Sequence, residues 1–385
     1  MAMRSTPAAV GAALLLAAVS TLGAATYVVL PDGSGDFPTI QAAIDAAVDG
    51  DVIELADGIF RGQGNRNVRL TEALTIQSSS GDPERCIIDC EGEYSSPARG
   101  FDISGPSVSR LLKGLTIMHG YQETSAGGAA VMCGSSATFL DCVFSDNSTA
   151  WSQNGGGVCC YDCSPTFVGC RFERNLNSGP GGGATVWGLG TPRFEGCVFS
   201  ENIAGEGGGC LVFYGSAEFS DCIFWRNAGS CGGGLCCTYE ATARLDRCTV
   251  VDNTGSHGSG VCVDEASTLE LSNSIVAFNH GDVGVFCGPA GALATLSCCD
   301  IFGNEGGDWV GCIEGQQGMN GNISLDPLFC DWQGGDFHLQ IGSPCAPEYN
   351  PACGLIGALP VGCGSSPAQE TTWGAMKALF RGDGK

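Results

Sequence analysis

Three groups of residues in this chain could carry chemistry. The first is a run of acids beside arginines: Asp221, Glu240 and Asp246 with Arg244 and Arg247, and Asp141 further upstream. Carboxylates can bind a divalent cation or act as general acids and bases, and an arginine beside them can handle a proton. The second is the cysteines, 24 of them, all beyond residue 25. The string Cys159-Cys160-Tyr161-Asp162-Cys163 is suggestive of a metal, but the chain has only 4 histidines and no repeated C-x-x-C pairs, which argues against zinc. The third is aromatic. Tyr161, Trp187 and Phe213 follow successive glycine runs in register, with Tyr214 and Tyr239 adjacent. Stacked and exposed, such rings can hold sugars; the competing expectation is that they pack within strands.

The elements that position these groups come from an internal repeat. DCVFSDN ends at Asn147, GCRFERN at Asn175, GCVFSEN at Asn202, DCIFWRN at Asn227, RCTVVDN at Asn253, NSIVAFN at Asn279 and CCDIFGN at Asn304. The intervals are 28, 27, 25, 26, 26 and 25 residues, and a weaker copy, LTIMHG, ends at Gly120. A period of this size, with apolar positions two apart inside each copy, predicts stacked coils of short strands. The fold class expected is all-β, a right-handed parallel β-helix solenoid with a short N-terminal capping helix.

Each column of the alignment then has a physical role. Phe139, Phe167, Phe194, Phe219, Leu245, Leu271 and Leu296 form one apolar ladder, and Phe144, Phe172, Phe199, Phe224, Val250, Val276 and Ile301 another. The asparagines are expected to stack by side-chain hydrogen bonds and to take the left-handed conformation of a sharp turn. The residues before them alternate in sign (Asp146, Arg174, Glu201, Arg226, Asp252), which predicts an ion-pair ladder. Gly155-Gly156-Gly157, Gly181-Gly182-Gly183, Gly207-Gly208-Gly209, Gly232-Gly233-Gly234 and Gly258-Ser259-Gly260 read as turns of positive φ; short strands, not a helix, follow them, so they are not phosphate loops. Cys142, Cys170, Cys197, Cys222, Cys248 and Cys299 are expected as mostly free core thiols, with bridges near the ends among Cys86, Cys90, Cys345, Cys353 and Cys363.

Residues 1–25 read as a signal peptide: Arg4, an apolar run from Ala8 to Val19, and small residues before the cleavage point. The β-helix is expected over 26–363, with repeats clearest over 113–304 and a closing segment over 324–363. Asp36 is the expected cap of a helix with Pro38 just inside it and Ile40, Ala43, Ile44, Ala47 and Val48 on its buried face. Residues 364–385 read as a linker and a short tail, where Trp373, Met376, Leu379 and Phe380 have helical spacing; an end-cap helix and a sorting tag both fit. The formal net charge of −24 repels phosphate backbones, so nucleic acid is not an expected partner, and no later apolar run is long enough to span a membrane. The location expected is extracellular or at the cell surface. Oligomeric state and disulfide pairing stay open.

Three stretches carry a family resemblance. DGSGDFPTIQAAIDAA (Asp32 to Ala47), GDVIELADGIF (Gly50 to Phe60) and SLDPLFCDWQGGDFHLQIGSPC (Ser324 to Cys345) resemble bacterial right-handed parallel β-helix proteins of the pectate-lyase-like superfamily. That resemblance implies the fold over nearly all of the chain after residue 25. It implies much less about activity, since the fold hosts many. The superfamily includes pectin methylesterases, polygalacturonases and calcium-dependent pectate lyases. The QDTL and DFIFG motifs of the first are missing, as are the NTD, DD and GHG signatures of the second; His257-Gly258 and His280-Gly281 are the nearest fragments. No G-x-S-x-G elbow occurs. The favoured expectation is therefore a non-catalytic secreted or surface protein that binds polysaccharide or a cell-surface glycan, with no cofactor and with calcium as the one cation kept open. A polysaccharide lyase or glycoside hydrolase and a purely structural envelope component are the alternatives. The ending TTWGAMKALFR (Thr371 to Arg381) is similar to short terminal tags on exported bacterial proteins.

Overall fold

The computed structural model describes residues 23–123, 130–150, 155–289 and 291–364. The expected leader falls almost wholly outside these residues, and so does the expected tail helix around Trp373.

Each coil gives one short strand to each of three long sheets, of 11, 10 and 9 strands, and the middle coils add a fourth sheet of 6. Pairing in all four is parallel and in step with the sequence repeat: Phe139 lies opposite Phe167, Phe167 opposite Phe194, and Phe194 opposite Phe219. The chain is an all-β right-handed parallel β-helix, as its repeat requires. The two phenylalanine columns stack inside it. Phe139, Phe167, Phe194 and Phe219 have ring centroids 4.7, 4.9 and 4.9 Å apart and nearly parallel rings. Phe144, Phe172, Phe199 and Phe224 follow at 5.1, 4.5 and 4.7 Å, and the two stacks meet edge to face. All of these rings are buried. Such pairs add to the stabilisation that burial itself supplies.

The asparagine column is a hydrogen-bonded ladder from Asn147 to Asn304. Asn175 Nδ2 donates to Asn202 Oδ1 at 2.9 Å, and the contact recurs from coil to coil until Asn304 Nδ2 donates to Asp308 Oδ1. The left-handed residue is not the asparagine, which corrects the sequence expectation. It is the residue before: Asp146, Arg174, Glu201, Arg226, Asp252 and Phe278 have φ between 52° and 57°. The corner turns one position early so that the amide can point inward. The exposed corner side chains pair only in part, Asp146 with Arg174 at 2.8 Å and Arg226 with Asp252 at 2.9 Å; Glu201 between them bridges to neither arginine, so the expected ladder is two separate pairs. The first residue of each glycine run has positive φ, as expected, from 61° at Gly207 to 78° at Gly155. The second is needed for close approach: a Cβ on Gly182 would strike the carbonyl oxygen of Gly208.

The column Cys142, Cys170, Cys197, Cys222, Cys248 and Cys299 is reduced and buried. The bridges differ from the expected set. Cys353 pairs with Cys298 and Cys363 with Cys330, but Cys86, Cys90 and Cys345 are free and buried. Cys345 instead donates to Asp300 at 3.2 Å. Two bridges join coils along the stack, Cys231–Cys262 and Cys287–Cys312.

The ends are closed by different devices. The helix Ile40–Ala46 buries Ile40, Ala43 and Ile44 at the first coils, but its cap is Thr39, whose hydroxyl accepts from Ala42 N–H. Asp36 stands outside and accepts from Val28 N–H at 2.8 Å; Pro38 precedes the cap, and Val48 is exposed. At the other end Trp309 and Ile313 plug the core. The closing segment does not cover that opening. Phe329, Phe337, Leu339, Ile356 and Leu359 lie along the flank, over outward-facing Val198, Ile223, Val251, Ile275 and Ala277.

Candidate glycan-binding face

The strands Val158–Tyr161, Ala184–Trp187, Cys210–Phe213 and Leu235–Thr238 follow the glycine turns. Alternation sends Cys160, Val186, Val212 and Cys237 into the core. The next residue of each strand therefore faces out, and parallel register aligns Tyr161, Trp187 and Phe213 one above another. In the following coil that position is Thr238, and the ring comes from Tyr239, one residue on, with φ 59°. Tyr214, with φ 62°, also leaves the strand by a left-handed step. The rings form a continuous file: Tyr161 to Trp187 at 6.0 Å, Trp187 to Phe213 at 5.2 Å, Phe213 to Tyr239 at 4.4 Å, and Tyr214 stacked on Tyr239 at 6.3 Å.

The file is at the surface. Tyr161, Tyr214 and Tyr239 expose 42%, 55% and 43% of their area, and Trp187 and Phe213 are half-buried. Leu189, which sequence reasoning passed over, extends the apolar surface and is 94% exposed. Its signal was present: a lone leucine between Gly188 and Gly190 in a turn has no strand to pack in. The acceptors beside the file are carboxylates. Asp162 accepts from Leu189 N–H at 2.9 Å, and Glu265 accepts from the Thr238 hydroxyl at 3.1 Å. Flat apolar faces flanked by acceptors match the mixed character of sugars, whose C–H faces stack and whose hydroxyls donate.

The acid and arginine group divides among four places. Asp221 accepts both Nε and Nη2 of Arg247, at 2.7 and 2.9 Å, and Asp246 accepts Nη1 at 2.6 Å. Arg244 belongs to a different row, Arg193, Glu218, Arg244 and Glu270, in which Arg193 meets Glu218 at 3.0 Å and Arg244 meets Glu270 at 2.8 Å. That row lines a shallow groove of about 310 Å³. Asp141 occupies the corner position of Asp221 three coils earlier, about 14 Å away at the usual strand spacing. Glu240 lies beside the aromatic file. The hydrogen bonds that Arg247 donates to Asp221 hold its guanidinium above its usual pKa, and those that Arg244 donates to Glu270 do the same there. Both are thereby poor bases.

The profile described as the right handed beta helix region matches residues 87–242 and 128–305, together more than half of the chain. The chain belongs to this family. Among solved structures it is similar to pectate lyase Pel9A, with a TM-score of 0.50 and 16% identity over 88% of this chain and 96% of that one. A pectin methylesterase from Aspergillus niger aligns at 0.38 and 12% identity over 80% and 91%, and the PL6 family alginate lyase AlyGC at 0.34 and 12% over 90% and 59%. These likenesses are of fold. No curated protein sequence matches the chain.

In this right handed beta helix the only grouping of three metal-ligand atoms within 4.8 Å, among the described residues, is sulfur: Cys231, Cys236 and Cys262. Two of the three are already bonded to each other. The suggestive string around Cys160 lies elsewhere, with Cys159, Cys160 and Cys163 all buried; the Cys163 thiol donates to Cys133 O at 2.7 Å. The helix Ile40–Ala46 is the only α-helix among the described residues, so none of them forms a helix long and apolar enough to cross a membrane.

Proposed function

We propose that this β-helix is an exported protein that binds polysaccharide or a cell-surface glycan along the file Tyr161, Trp187, Phe213, Tyr214 and Tyr239, without catalysis. The observation that carries the reading is the unbroken run of ring contacts across four coils, much of it exposed. A rigid solenoid presents such a run at fixed spacing, so little conformational entropy is lost when a chain of sugars lies along it. The neighbour Pel9A is a pectate lyase, which is consistent with a carbohydrate ligand. The net charge of −24 favours a neutral glycan, since an anionic one would need a bridging cation such as calcium. Four disulfides fit an oxidising compartment.

The test is affinity electrophoresis of the full chain through neutral and acidic polysaccharides, with and without calcium, alongside a reducing-end assay. Retardation without product supports the reading. Release of reducing ends replaces it with a lyase or hydrolase. Migration unchanged in every gel removes glycan binding altogether.

A further inference from the structure

Beside the aromatic file, Cys231 has two sulfur neighbours. It is bonded to Cys262, and the free thiol of Cys236 lies 3.5 Å from its sulfur. Strand register explains the convergence. Cys236 and Cys262 face one another on adjacent strands, Leu235–Thr238 and Val261–Val263, with their side chains on the outer face. Cys231 ends the strand Ala228–Cys231 of the six-stranded sheet, and the Gly232-Gly233-Gly234 turn brings the chain back over it. The bond to Cys262 ties one coil to the next. A bond to Cys236 would close the glycine turn within its own coil.

We propose that Cys231 is a thiol–disulfide exchange centre, open to small external thiols, whose bond alternates between Cys262 and Cys236. Cys231 is partly exposed, whereas Cys236 and Cys262 are buried. An external thiolate therefore reaches the Cys231 sulfur. It forms a mixed disulfide there, and the Cys231–Cys262 bond breaks with its electron pair going to Cys262, which takes up a proton. Cys236 then loses its proton and attacks Cys231, expelling the external thiolate. The net change is one protein disulfide exchanged for another, with the small thiol regenerated and no electrons gained or lost.

The small thiol is needed for a geometric reason. Attack proceeds with the three sulfurs in line, which would set Cys236 and Cys262 about 5.5 Å apart, the 3.5 Å contact plus a bond of about 2.0 Å. They lie within 4.8 Å, so the internal attack is not aligned. Burial also holds Cys236 as the thiol by raising its pKa well above the usual value, with Glu206 and Asp264 adding to the effect. The pair is thus stable until a thiol opens it. Leu211, Phe213 and Phe286 pack around the sulfurs and limit entry to the Cys231 side. This inference stands apart from the glycan reading.

The experiment is disulfide mapping of the full chain by mass spectrometry. The protein is incubated with a mixture of reduced and oxidised glutathione, which supplies the exchanging thiol and, for the variants, the oxidant, then quenched in acid, unfolded, alkylated and digested without reduction. In the wild type the Cys231–Cys236 linkage is expected in roughly a tenth to nine tenths of molecules, the span of a tenfold bias either way. In Cys262→Ser it is expected as the sole linkage of Cys231, and in Cys236→Ser only Cys231–Cys262 is expected. A glutathione-treated wild type with Cys236 fully alkylated and Cys231 bonded to Cys262 alone overturns the proposal. That readout decides the matter should Cys262→Ser fail to fold.

Discussion

Asn202 reaches the same oxygen twice: its backbone N–H and its side-chain Nδ2 both donate to Oδ1 of Asn227, at 3.0 and 2.9 Å. Its own Oδ1 serves Asn175 in the same way, and its Nδ2 also donates to Phe172 O. Each rung thus ties three coils together at a fully buried site. Asn202→Ala would leave the Asn175 donors and the Phe172 carbonyl without this partner. At about 1–3 kcal/mol for each buried group left unsatisfied, a loss of about 3–5 kcal/mol is expected. Urea unfolding followed by tryptophan fluorescence checks it. Asn202→Asp, the same shape without the donors, should be no better.

Trp187 stands in the middle of the aromatic file, in contact with Tyr161 on one side and Phe213 on the other. Its removal breaks the file into two short pieces. Trp187→Ala is expected to weaken binding of a retained glycan by about tenfold to a hundredfold, since an aromatic stacking partner is worth on the order of 1–3 kcal/mol. Tyr239→Ala at the end of the file should cost less. The measurement is titration calorimetry, with circular dichroism to show that each variant keeps its sheet. Equal affinity in both variants and the wild type would place the ligand elsewhere.

Arg247 links Asp221 and Asp246 at a partly exposed corner. The cluster resembles a catalytic group in sequence, but its geometry is that of a surface ion-pair network. Arg247→Gln is expected to lower stability by no more than about 1 kcal/mol and to leave glycan affinity within twofold of the wild type. A large loss of affinity would move attention from the aromatic file to this corner.

The strands and their register were legible because a repeat fixes both at once. A phenylalanine that recurs every 25 to 28 residues can only face its own copies in the next coil. The aromatic file was legible for the same reason, up to Phe213; the shift to Tyr239 was visible only as adjacency, because a left-handed step carries it into line. What the sequence hid was anything between columns. Cys231 and Cys236 lie in one coil and Cys262 in the next, and neither column spacing nor the Cys142-type ladder predicts that they converge. The turn at Asp146 and not at Asn147 is also a matter of backbone geometry, since both residue types accept positive φ. Thr39 as the helix cap was missed because Asp36 is the stronger capping type, and the tight turn before the helix uses Asp36 to hold Val28.

Asp300 makes the closing segment sensitive to pH. It is fully buried at the last coil, where it accepts from Leu325 N–H at 3.1 Å and from the Cys345 thiol at 3.2 Å. Burial pushes its carboxyl up to about 7; those two donors pull it back, and Asp308 and Asp326 push it further. In the unfolded chain the same group titrates near 3.9. Between these values the folded protein holds a proton that the unfolded one has released, so stability falls as pH rises from about 4 to about 7 and levels off above. The group accounts for at most about 4 kcal/mol of that fall. Asp300→Asn is neutral throughout and should remove the slope while keeping an acceptor for Leu325. Unfolding midpoints of wild type and variant are to be compared at pH 5 and pH 8. The variant is expected to gain on the wild type by about 2–4 kcal/mol between the two conditions. An equal difference at both would mean that Asp300 stays ionised in the fold, with its charge held by the donors around it.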